Sequence, residues 1–276
     1  MLKQKLVEVA SRIVAHLPRS YGIYSPLSRY VDKFAGDNNM DPETNGEYAI
    51  LRKVIPRCNV VFDVGANEGQ WASRASGLNP NCQIHAFEPA SSTFEVLKEN
   101  VAERGVICRR MAMGDSVGTL PLLNRRGYSY LSSFYHARGE GIEQITTEVE
   151  NVSVDNLDNY CQREKISKID FLKVDVEGHE FAVLRGASGL LTNRRIEFIQ
   201  FEYHATWIYS RTYLKDAFEL LQPAGYHIYK MLGASKLLHL NRYSQDIDTF
   251  RYSNYFAGRD PISLPGIKIY DAKHMT

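Results

Sequence analysis

The chain has few cysteines, almost no excess charge and no long apolar run, and each shortage removes a class of protein. Cys58, Cys82, Cys108 and Cys161 are the only 4, too scattered for a paired zinc-ligand spacing and too few for a disulfide-built scaffold. A reducing, cytoplasmic setting is the simplest expectation. The net charge is +1 with acids and bases interspersed, which leaves no electrostatic footprint for a long nucleic acid. No segment reads as a transmembrane helix, and Met1 to Leu17 mixes Lys3, Lys5, Glu8, Arg12 and His16 with its apolar residues, unlike a signal-peptide core. A Gly-x-Ser-x-Gly nucleophile elbow is also missing, which argues against a serine hydrolase. Length and apolar fraction suit one main globular domain.

What the chain does have is a glycine turn behind a buried strand. Asn59-Val60-Val61-Phe62 runs into Asp63-Val64-Gly65-Ala66-Asn67-Glu68-Gly69. Gly65 permits a sharp turn, and Gly69 opens a helix whose free amides favour electron-rich groups. A dinucleotide site needs a third glycine to seat a pyrophosphate, and this turn begins instead with an acid. Asp63, Gly65, Ala66, Asn67 and Gly69 therefore suit a cofactor carrying positive charge, such as S-adenosylmethionine. A second strand, Gln83 to Phe87, ends on Glu88-Pro89. That is close to the interval of about 20 residues at which a mononucleotide unit places its ribose acid. For the adenine, Ala112-Met113-Gly114-Asp115 offers Met113 as a ring contact and Asp115 near the amino group.

A third acid-bearing strand end is the densest cluster of potential chemistry: Ile169-Asp170-Phe171-Leu172-Lys173-Val174-Asp175-Val176-Glu177-Gly178-His179-Glu180. Open α/β sheets bind ligands outside the carboxyl ends of their strands, so Asp175 is expected to share a crevice with Asp63 and Glu88. Helix capping explains Glu180, but not a histidine at a helix N-terminus.

Taken together, Phe62 to Gly69, Phe87-Glu88-Pro89, Val152 to Leu157, Leu172 to Glu180 and Leu184-Arg185-Gly186-Ala187 resemble the FkbM family of S-adenosylmethionine-dependent methyltransferases, over roughly residues 47 to 258. The resemblance implies an α/β, Rossmann-like class I methyltransferase fold, a mainly parallel seven-stranded sheet with helices on both faces and a C-terminal antiparallel strand pair. It also implies transfer of a methyl group to a hydroxyl of a sugar, glycan or related natural product. Asp175-Val176-Glu177-Gly178 departs from the Asn/Asp-Pro-Pro-aromatic pattern of amino-directed nucleic-acid enzymes, which favours oxygen. The alternatives are a nitrogen or nucleic-acid acceptor, and a non-catalytic nucleoside-binding interaction domain.

A sulfonium methyl is already activated, so the protein must align the acceptor and take its proton. His179 is the expected base, with Asp175 anchoring the cofactor's amino group or orienting the acceptor; the reverse assignment stays open. Glu177, Glu202, His204, Ser132 and Tyr130 are expected to bind the acceptor. No metal is required, although Asp175, Glu202 and a histidine form an alternative divalent-ion site. Residues 1–46 read as an amphipathic helix, with Leu2, Leu6, Val9, Ile13 and Leu17 on one face as a candidate homo-oligomer contact, followed by a connector. Residues 47–276 read as the catalytic domain. A long insertion near 118–151, rich in Tyr, Ser, Arg and Gly, is expected to form a hairpin carrying an acceptor loop.

Overall fold

The computed structural model describes Asp32 and residues 35–125, 127–136 and 145–272. The expected N-terminal helix lies outside them. Among the described residues, twelve strands run in chain order as β1 Val60–Val64, β2 Gln83–Phe87, β3 Ile107–Arg109, β4 Ala112–Met113, β5 Gly118–Arg125, β6 Thr147–Asp155, β7 Ile169–Val174, β8 Ile196–Tyr203, β9 His227–Met231, β10 Lys236–Leu240, β11 Ser253–Gly258 and β12 Lys268–Asp271. Helices α1 Glu47–Val54, α2 Gln70–Leu78, α3 Ser91–Asn100, α4 Leu157–Arg163, α5 Glu180–Arg185, α6 Ser188–Thr192, α7 Thr206–Ser210 and α8 Leu214–Leu221 fill most of the connections. None is long and apolar enough to cross a membrane.

Both faces of the central strands are apolar, and this is why they sit in the middle of a covered sheet. Val61 and Phe171 pack on one side with α1 and α2, including Trp71, while their neighbours Phe62 and Leu172 pack on the other with α4, α5 and α8. The main sheet has the order β12-β10-β9-β11-β8-β7-β1-β2-β3. Strands β3, β2, β1, β7 and β8 are mutually parallel, and β11 is antiparallel to both β8 and β9. The class I arrangement is thus present, with a correction: the sheet has 9 strands rather than seven. The chain reverses after β9 through Gly233, at φ 121°, and adds β10, on which β12 then pairs. Both added strands are short and carry no long apolar pattern.

The insertion folds as a hairpin of β5 and β6, with β4 on its flank. Its loop returns toward the main sheet at Ser133, which bridges Leu123 and donates its hydroxyl to the Glu177 carbonyl at 2.7 Å. All four thiols are free.

Candidate active site

The carboxyl ends of β1, β2, β7 and β8 open into one cavity of about 490 Å³, closed on the far side by the hairpin loop. Gly65, at φ 81°, makes the crossing possible: a Cβ there would lie 1.7 Å from the Asp175 carbonyl oxygen, so only glycine fits. The amides of Gly65 and Ala66 donate to the Phe87 carbonyl at 3.0 and 2.9 Å, tying the turn to β2. Glu88 then lies almost buried in the cavity wall, its two oxygens accepting from the Asn67 and Ala90 amides at 3.1 and 2.9 Å. Burial pushes this carboxyl up to about 7. Beside it, Phe87, Met111, Ala112, Met113 and Leu122 form an apolar wall.

The opposite wall is a cluster of carboxyls around one imidazole. Glu177 reaches it from a strained backbone, φ 54°, in the left-handed region that bulky residues avoid. His204 Nε2 lies 3.1 Å from Glu202 and 3.4 Å from Glu177. Burial alone would lower this imidazole, but the two carboxylates outweigh it and hold His204 at about 10. Burial raises Glu202, yet the His204 charge and hydrogen bonds from His204, Tyr252 and Asp175 bring it below its ordinary range. Glu177 is driven well above its usual value by burial and then by Glu202. Asp175, whose side chain is 35% accessible, meets Lys173 Nζ at 3.1 Å. Burial and the neighbouring Glu202 push Asp175 up to about 6.

Of the residues expected from sequence, Gly65, Asn67, Glu88, Pro89, Met113, Asp175, Glu177, Glu202, His204, Ser132 and Tyr130 all line this cavity. Five do not. Asp63 is fully buried beneath the floor, paired with Lys173 at 3.3 Å. Ala66 faces the core, and Gly69 gives α2 close passage over α3, since a Cβ there would meet Leu97 at 2.6 Å. Asp115 pairs with Arg185 outside the cavity. The expected base His179 is the main correction: it precedes α5, packs on Phe134 and bonds Tyr135 through Nδ1 at 2.8 Å, away from the cavity. Burial lowers it to about 4, so it is a neutral clamp for the hairpin loop. Capping accounts for Glu180, whose carboxylate accepts the Val176 and Gly178 amides.

Sequence reasoning passed over Lys173, although a lysine within an apolar strand two residues before Asp175 was a readable signal. Phe250 and Tyr252, which complete the cavity from the loop before β11, carried none. The donor atoms of Glu177, Glu202 and His204 lie within 4.8 Å of one another. His204 Nε2 already carries a proton between the two acids, and a divalent ion would have to displace it.

The sequence profile described as Methyltransferase FkbM domain matches residues 63–228. Among curated proteins, the chain is similar to Hexuronic acid methyltransferase AglP of Haloferax volcanii, 30% identical over 172 residues, covering 59% of this chain and 64% of that protein. It is similar to 2-O-methyltransferase NoeI of Sinorhizobium fredii, 26% identical over 181 residues, covering 58% and 68%. A third relative is 31-O-demethyl-FK506 methyltransferase FkbM of Streptomyces tacrolimicus, 30% identical over 153 residues, covering 46% and 59%. The match thus spans 59% to 68% of the length of these relatives.

Proposed function

Because the chain belongs to the FkbM methyltransferase family, we propose that it transfers a methyl group from S-adenosylmethionine to a hydroxyl of an uncharged sugar, glycan or related natural product. One observation carries this reading: a single cavity joins an apolar half at Phe87, Met113 and the acid Glu88 to an acid–imidazole half at Glu177, Glu202 and His204. The residues present fit the cofactor. Glu88 is a buried acceptor for ribose hydroxyls, and the Asn67 Oδ1 oxygen has no partner. The apolar wall of Phe87 and Met113 suits a purine ring, and Asp175 offers a carboxylate for the amino group.

The cofactor, when bound, supplies a methyl on a positively charged sulfur, so the protein's work is alignment and proton removal. Glu202 and His204 orient the acceptor hydroxyl, and Glu177 receives its proton. Its raised proton affinity is what such a base requires near neutral pH. Tyr130 and Tyr252 give the sugar ring aromatic faces, and Ser132 a hydroxyl. The described lining contains carboxyls but no lysine or arginine, which favours uncharged acceptors over acidic ones. Residues 47–276 are the catalytic unit in this reading, with the 118–151 segment as its acceptor loop. Incubating the protein with methyl-labelled S-adenosylmethionine and cell glycan, lipid, nucleic-acid and small-molecule fractions tests it. Label in an alkali-stable ether of a neutral glycan or small molecule supports it; label in nucleic acid, or no cofactor binding by calorimetry, overturns it.

A further inference from the structure

Lys173 is a buried cation. It stands on β7 directly across from Asp63 on β1 and two residues before Asp175, so all three side chains share one face of the sheet. Its Nζ lies 3.3 Å from Asp63 and 3.1 Å from Asp175, and 6.0 Å from the Trp71 ring centre. The Lys173 and Asp63 side chains are 6% and 0% accessible, whereas Asp175 opens into the cavity. Burying a lysine is costly, and Asp63, which does not reach the cavity, serves to neutralise it. The other contact is the informative one. Asp175 has a competing partner in Glu202, to which it also hydrogen-bonds. Two neighbouring acids tend to share a proton, and the Lys173 ammonium on the other side of Asp175 favours its charged form against that.

We propose that Lys173 is a positioning residue for the cofactor: anchored by Asp63, its ammonium keeps Asp175 as a charged carboxylate against the proton it shares with Glu202, and presents it to the amino group of S-adenosylmethionine. This rests on the methyltransferase reading above, and it makes the strand-end acid of β1 a support for the cofactor site rather than a contact within it. Lys173 itself touches no ligand and acts only through Asp175.

Calorimetric titration of S-adenosylmethionine into the full chain tests this. Lys173→Met is expected to weaken binding on the order of 100-fold, as expected when one member of a buried charge pair is removed, and to match Asp175→Asn. Lys173→Arg, which keeps the cation, restores affinity to within about tenfold of wild type. In an Asp175→Asn background, Lys173→Met has no further effect, because the group it positions is gone. If Lys173→Met does not fold, the paired change Lys173→Met with Asp63→Asn removes the cation together with its fully buried partner, so that Asp63 is not left as an unpaired buried charge; it too is expected to lose affinity. Wild-type affinity in a folded Lys173→Met or paired variant overturns the proposal, and so does an equal further loss in the Asp175→Asn background. Failure of the wild-type chain itself to bind the cofactor overturns the methyltransferase reading and identifies that as the error.

Discussion

Replacing His204 with Gln should expose the cost of the acid cluster. The substitution keeps a polar side chain of similar length and removes the charge that Glu177 and Glu202 share. In the folded protein His204 is held at about 10, against 6.5 for the free side chain, a difference worth about 5 kcal/mol. Because the folded value lies above the unfolded one, this stabilisation is complete below pH 6.5 and is lost as pH rises through about 10. Between those limits it declines by about 1.4 kcal/mol per pH unit. Urea unfolding of both proteins at pH 6.5, 8 and 9.5 reads it directly, the stability gap being the observable. The gap should be widest at the lowest of these, reduced by the proton that Glu177 takes up once its cationic neighbour is gone. It should nearly close at the highest. A gap that is flat across the series, or that widens toward high pH, would refute the claim that an imidazolium sits between the two acids.

Glu177→Gln removes the proposed proton acceptor while leaving the Glu88 side intact; the turnover number should fall by about 100-fold or more, with little change in cofactor affinity by calorimetry. His179→Ala should leave that affinity within about threefold and instead loosen the hairpin loop, since it deletes the contacts to Phe134 and Tyr135; faster proteolysis of the loop is the readout, and an unchanged cleavage rate counts against the clamp. Turnover should be indifferent to prolonged chelator treatment, because the His204 proton occupies the nitrogen an ion would need in the only described group of acids and imidazole with metal-like spacing; a chelator-sensitive rate restored by magnesium or manganese would reinstate the ion.

Strand ends were legible because two periodicities coincide there: a fully apolar run stops, and a charged residue follows at once. That is enough to say which edge of the sheet a residue occupies, and Glu88, Asp175, Glu177, Glu202 and His204 do line one cavity. It does not say which way a side chain points after the strand has ended. Asp63 is the clearest case. As the residue before the last of β1 it still obeys strand alternation, and its register partner Lys173 draws it under the sheet end instead of into the crevice. His179 fails for a related reason. Gly178, at φ 101°, redirects the chain between Glu177 and α5, so two residues that sequence reasoning treated as one cluster emerge on opposite sides of the turn. The roles they exchange follow from neighbours far away in sequence: Tyr135 and Phe134 bury the first histidine neutral, and Glu177 and Glu202 make the second a cation. An imidazole's chemistry is set by such partners. The motif could supply the histidines, and only the fold could tell them apart.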